Sequence, residues 1–194
     1  MDITEIIARR FVLSIDVPRD MKDIYVYGLR LIIADIINFS LILIFGAFLK
    51  CMVKAVIFLL MLLFVRRFTG GFHAGSFAVC RLSMIISFFS VLAVSHLQSG
   101  FIYGEEIAIV VCFFSVLVVL FMAPIEHRNK PLSKEQRKSN RKKAIISSVV
   151  SSTLSSVLCF MGFPEGVFVS NTLLLIVILM FICLIIKKGE KNNA

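Results

Sequence analysis

The sequence predicts an all-α fold: a polytopic membrane bundle of about six transmembrane helices, with both chain ends cytoplasmic. Three observations predict it. The 194-residue chain is 59% hydrophobic and only 17% charged, where a soluble domain carries about 25% charged residues, and its mean hydropathy is +0.96. The apolar residues form continuous runs, unlike the alternating ten-residue strands of a membrane barrel. Lysine and arginine gather in alternate connections between those runs, the pattern that orients helices in a bilayer.

The first thirty residues, which include the N-terminal segment 1–28, mix five acidic and five basic residues with no apolar core or cleavage motif of a signal peptide, so the chain reads as one unit over 1–194. Within it "TEIIARRFVLSI" alternates polar and apolar faces at helical spacing. That suits an interfacial helix, or one packed against the ends of the bundle. Six apolar runs follow: Leu29–Leu49, Ala55–Val65, Leu82–Leu97, Ile107–Ala123, Ala144–Phe160 and Thr172–Ile186. A full span needs about 17–25 residues. The second run reaches that length only by borrowing residues 51–54.

With the N-terminus inside, the inner segments hold 19 of the 21 Lys and Arg, and the outer ones only Lys50 and Lys54. Residues 98–106 and 161–171 carry neither and suit short outer loops. The net charge of +9 is thereby explained by membrane orientation, and nucleic acid is not an expected partner. The basic stretch at 124–143, "APIEHRNKPLSKEQRKSNRKKA" in its wider context, reads as an inner loop, with Pro124 and Pro131 ending the fourth helix and holding the chain extended. Asp35 and Asn38 interrupt the first run on one helical face. They serve either an interhelical hydrogen bond or a polar site.

One stretch is out of keeping with a chain built for lipid. "RRFTGGFHAGSFAVCR", residues 66–81, packs three arginines, three glycines, a histidine and a cysteine into sixteen residues. A thiol becomes a strong nucleophile as its thiolate, which a neighbouring histidine or cation favours. His73 is placed to take that proton and return it to a leaving amine. Arg66, Arg67 and Arg81 add positive potential for a thiolate or a substrate carboxylate. Gly70 and Gly71 permit backbone conformations closed to other residues and a close approach by a peptide. In an unbroken helix, however, His73 and Cys80 stand about 10.5 Å apart along the axis, so catalysis needs a bend, for which Gly75 is the natural place. Cys80 is then expected near the start of the third helix.

From spacing alone, a polar turn with a packed cysteine accounts for the stretch equally well. The other cysteines (51, 112, 159 and 183) show no CxxC and no disulfide framework. His96 and His127 lie in other segments, too scattered to form a metal site with His73, and no metal or organic cofactor is expected.

The combination "RRFTGGFHA", Cys80, "MAPIEHRNKPLS" and the following basic run resembles the accessory gene regulator B (AgrB) family over nearly the whole chain. That resemblance implies a bacterial cell-membrane cysteine endopeptidase that matures a quorum-sensing propeptide of the AgrD kind. It places the catalytic pair on His73 and Cys80, with Arg66 and Gly71 ahead of the histidine and the family's basic segment on Lys130 to Lys143. It also suggests a homodimer. It departs at Gly75, where some relatives carry proline. The expected substrate is a propeptide with an acidic C-terminal tail, recognised at the cytoplasmic face with help from Lys138, Arg141, Lys142 and Lys143. A small transporter or scaffold without chemistry is the alternative, although no internal repeat of the kind that builds many transporters is visible.

Overall fold

The computed structural model describes residues 6–7, 10–12, 21–70, 77–125 and 133–192. Among the described residues, five helices are long and apolar enough to cross a membrane by length and composition. In chain order, α1 is Lys22–Phe48. A sixth helical segment, α2, runs Met52–Met61 and passes without a break through a π-helical stretch, Leu62–Arg66, into a last α-turn, Arg67–Thr69. Then come α3 (Phe77–Ser99), α4 (Gly104–Met122), α5 (Lys134–Phe160) and α6 (Pro164–Asn192). No strand is present among the described residues, beyond a single bridge between Gly70 and Ile125.

The α2 path is at most about 27 Å long at the α-helical rise, against a hydrocarbon core of about 30 Å. It is not among the five, so the expectation of a sixth span rests on this segment. Its π turn is physically telling. An i→i+5 turn holds one residue more than an α-turn and re-aims the chain beyond it. Here that re-aimed chain is Arg66 and the turn leading to Gly70.

Two expectations on element boundaries change. The basic stretch is not a loop beyond residue 133: Ser133 caps α5, its Oγ accepting from the Gln136 N–H at 3.2 Å while the Gln136 side chain accepts from the Ser133 N–H. This reciprocal capping box starts the helix ten residues before the apolar run at Ala144, so Lys138, Arg141, Lys142 and Lys143 all lie on a helix. Likewise α6 begins at Pro164, not Thr172, because proline at the first helical position loses no hydrogen bond. Residues 6–7 and 10–12 are helical, and Phe11 and Val12 border an apolar groove with Ile24, Gly28 and Ile32 of α1. That places this part of the N-terminal segment against the bundle.

Three tight connections, 49–51, 100–103 and 161–163, join α1 to α2, α3 to α4 and α5 to α6. Connections this short force antiparallel neighbours. The core forms around α6, where Phe168, Leu173, Ile176 and Met180 are fully buried. It closes toward α2 and α3 through edge-to-face rings, Phe58 on Phe88 with centroids 5.3 Å apart. At the turn end, buried polar side chains tie three helices together. Asn171 Nδ2 of α6 donates to Gln98 Oε1 (2.8 Å) and Ser95 Oγ (3.1 Å) of α3, and Gln98 Nε2 donates to the Gly104 carbonyl of α4 (2.8 Å). Ser170 Oγ donates to the Ala108 carbonyl at 2.7 Å. Such bonds between helices in lipid contribute on average about 0.6 kcal/mol each. Large apolar side chains such as Ile36, Ile44, Phe121 and Phe160 point outward. In water such a surface would aggregate; in a bilayer it is the expected exterior.

Candidate functional site

The end of the bundle opposite those turns collects the unusual residues. Cys80 lies in the first turn of α3 and is half-buried, while Cys112, Cys159 and Cys183 are buried in helix contacts. The first turn is a favourable place for a thiolate, since the partial positive charge of a helix N-terminus stabilises an anion there. Arg66, where the π turn of α2 ends, is also half-buried. It lies within electrostatic range of Cys80 and of Asp35 on α1. Three helices thus contribute one charge-bearing group each to a single neighbourhood. Beside it, Asn38 Oδ1 and Arg81 Nε are buried without a hydrogen-bond partner among the described residues.

The chain leaves α2 through a clamped corner. Thr69 is fully buried, and its Oγ1 donates to the Arg66 carbonyl at 3.3 Å. Gly70 comes next at φ +75° and ψ −169°, a region open essentially to glycine alone. The fourth helix ends at Met122, as Pro124 requires, and the Ala123–Pro124 peptide is cis. The chain then runs back against the corner: the Ile125 N–H donates to the Thr69 carbonyl at 3.0 Å, and Gly70 and Ile125 form a parallel bridge. The approach is so close that a Cβ at residue 70 would overlap the Ile125 carbonyl. Docking therefore requires glycine at position 70, in addition to the backbone conformation.

Two members of the basic helix reach the same corner. Lys143 Nζ stands 5.4 Å from the ring centroid of Phe68, in cation–π range. Arg141 Nη2 donates to the Leu120 carbonyl near the end of α4, at 3.4 Å. Lys138 and Lys142 are exposed on α5. His73 and Gly71 lie outside the described residues. The structure therefore assembles Arg66, Gly70, Cys80, Arg141 and Lys143 at one end, while Asp35 is exposed on α1 within electrostatic range of Arg66.

This corner joins "RRFTG" to "API" across more than fifty residues, and those are the two stretches that carried the family resemblance. The family profile for accessory gene regulator B covers residues 2–188. The chain belongs to the AgrB family. Its relatives include a protein named as AgrB-like protein 2 in Clostridium perfringens strain 13, 29% identical over 149 residues, covering 75% of this chain and 70% of the relative. Another, named as AgrB-like, from C. perfringens strain SM101 is 28% identical over the same shares. No solved structure matches the chain. Membership in the AgrB family associates the protein with membranes and with the processing of quorum-sensing propeptides, and is compatible with a peptidase role.

Proposed function

We propose that this protein is a membrane cysteine endopeptidase that removes the acidic C-terminal tail of an AgrD-like propeptide and closes the remainder into a thiolactone or lactone. The observation that carries the reading is that Cys80, in the first turn of α3, lies within electrostatic range of Arg66, beside the corner clamped by Gly70 and Ile125. A nearby cation and the N-terminus of a helix are both features that favour a thiolate nucleophile.

In this mechanism His73 takes the Cys80 proton. The Cys80 Sγ attacks a peptide carbonyl, and His73 returns the proton to the amine of the departing tail. The peptide remains on Cys80 as a thioester. A cysteine thiol within the peptide gives its proton to the now neutral His73 and attacks that carbonyl, Cys80 leaves as thiolate, and a thiolactone closes; a serine hydroxyl, deprotonated in the same way, closes a lactone. Exchange of one thioester for another is nearly balanced, so the protein need only hold the ring-closing geometry and exclude water. A site at the membrane edge does both. The acidic tail is drawn to α5, whose Lys138, Arg141, Lys142 and Lys143 lie at this same end. The reading puts this end of the bundle in the cytoplasm, where 19 of 21 Lys and Arg would then lie, with the bilayer, the propeptide and a second copy in a homodimer as partners.

The test is cleavage of a tagged propeptide bearing one central cysteine and an acidic tail, in membranes containing the full chain. Cys80→Ala should abolish cleavage, whereas Cys51→Ala, Cys112→Ala, Cys159→Ala and Cys183→Ala should retain it. Iodoacetamide should modify Cys80 well ahead of the three buried thiols. Cleavage by Cys80→Ala, or equal alkylation of all five cysteines, would reject the nucleophile and return the field to a transporter or scaffold.

A further inference from the structure

Pro124 leaves a gap in the backbone bonding at the end of α4. In a continuing helix the Leu120 carbonyl would accept from the N–H of residue 124, which is a proline and has none. The next donor along the chain, the Ile125 N–H, is given to the Thr69 carbonyl at 3.0 Å. Arg141 fills the place from outside the helix, its Nη2 donating to the Leu120 carbonyl at 3.4 Å. A cation there also meets the negative end of the α4 dipole. Arg141 is thus a C-terminal cap that α5 supplies to the segment carrying Ile125.

Lys143 serves the other segment of the corner. Its Nζ stands 5.4 Å from the ring centroid of Phe68, the residue before the buried Thr69. The two cations flank Ala144, which is fully buried. At about 100° per residue, Arg141 is turned about 60° from Ala144 one way and Lys143 about 100° the other. Ala144 shares an apolar cluster with Ala123 and Ile125, and Phe68 packs against that cluster. The same helix lies along α4 and along residues 62–69 of α2. It therefore touches both segments of the corner, with a buried alanine between them and a cation on each. Lys138 and Lys142 are turned about 120° and 160° from Ala144 and are exposed.

We infer that Arg141 and Lys143 are positioning residues, which hold the 120–125 and 68–70 segments together as the docked corner and leave Lys138 and Lys142 to meet the acidic tail. This deepens the proposed function, from which it takes only the dependence of cleavage on the corner. The basic residues of α5 then do two kinds of work, decided by the face each occupies and not by charge.

The test is hydrogen exchange of the Ile125 amide in the full chain in membrane vesicles, since its bond to Thr69 belongs to the docked corner and exchange reports how often that bond opens. The Phe163 amide, which donates to the Leu158 carbonyl at 2.9 Å at the other end of the bundle, reports on the rest of the fold. A cation–π contact at an exposed site and a cation at a helix C-terminus are each worth a factor of about two to five. Arg141→Gln and Lys143→Gln should each speed Ile125 exchange by that factor, and the double variant by roughly tenfold, with Phe163 near the parent rate. Lys143→Arg keeps a cation over the ring and should keep exchange slow. Phe68→Leu removes the ring and no charge; it should speed exchange at least as much as Lys143→Gln, which should add nothing further in that background. Lys138→Gln with Lys142→Gln should leave Ile125 exchange at the parent rate. In cleavage, the Arg141 and Lys143 variants should lower kcat.

Parental Ile125 exchange in Arg141→Gln with Lys143→Gln would overturn the inference. So would equal acceleration at Phe163, which would make the loss global, or full additivity of Phe68→Leu with Lys143→Gln. Exchange needs neither propeptide nor Cys80, so its failure is separate from that of the proposed function. Parental exchange beside Cys80-dependent cleavage removes the positioning role alone, and cleavage by Cys80→Ala leaves the exchange result standing.

Discussion

Replacing Gly70 by alanine probes the corner on which the proposed chemistry depends. Its geometry imposes two costs. At φ +75° and ψ −169° an alanine carries about 1–3 kcal/mol of backbone strain. Its Cβ also overlaps the Ile125 carbonyl, so the 123–125 segment must move off. That breaks the Ile125 N–H to Thr69 carbonyl bond, a loss of about 1 kcal/mol. Together they disfavour the docked corner by about 2–4 kcal/mol, which at about 1.4 kcal/mol per decade is a fall of roughly 30- to 1000-fold in the ratio of docked to undocked corner. Propeptide cleavage should fall by up to that factor, while the core of α6 with α2 and α3, around Phe58, Phe88 and Phe168, keeps the protein inserted. Gly162 supplies the control. It too has a positive φ, +76°, but nothing lies within 4 Å of where its Cβ would be. It also sits in the turn between α5 and α6, at the other end of the bundle. Gly162→Ala should cost strain alone and leave cleavage within about threefold of the parent, a difference of some 0.7 kcal/mol. Wild-type cleavage by Gly70→Ala would refute the docked corner as a requirement. Equal losses in both variants would show that strain, and not the Ile125 contact, is responsible.

The remaining expectations concern the partners of Cys80. His73→Ala should lower cleavage by about 10²–10⁴, the usual contribution of general acid–base catalysis, with part of the acylation regained at higher pH as more thiolate forms; a folded, fully active His73→Ala protein would make that residue structural. On α5 the structure separates two pairs. Lys138→Gln with Lys142→Gln removes exposed charges only, so it should raise KM for the acidic propeptide with kcat little changed, and added salt should shrink the wild-type advantage. Arg141→Gln with Lys143→Gln also removes the contacts to Leu120 and Phe68, and should lower the unfolding midpoint as well. Identical kinetics from all four substitutions would leave the basic helix as a topology signal.

Much of the molecule was legible in the order of its residues. Five of the six apolar runs became helices long enough to cross a bilayer, because hydropathy is a direct record of the solvent each side chain meets. Cys80 fell at the head of α3 as expected, and Pro124 ended α4 where its ring must. The basic stretch was misjudged as a loop for an equally physical reason. A search for apolar runs is blind to a polar helix, and the signal that mattered was the capping box between Ser133 and Gln136, present in the sequence but not in its hydropathy.

Only the tertiary structure decided which distant residues share a height and a face. Asp35 had two readings while it was one position on one helix. Gly46 lets α1 approach Ala55 and sets the register of the hairpin, and the packed helix buries Ala34 and Asn38 while leaving Asp35 exposed. Gly70 was marked for its backbone freedom, yet its tighter constraint is the carbonyl of Ile125, which reaches it only after two further helices have been packed. Composition and periodicity describe how each helix meets its solvent. Register between helices depends on close approach at a few small residues, and no pattern along a single chain states which of them meet.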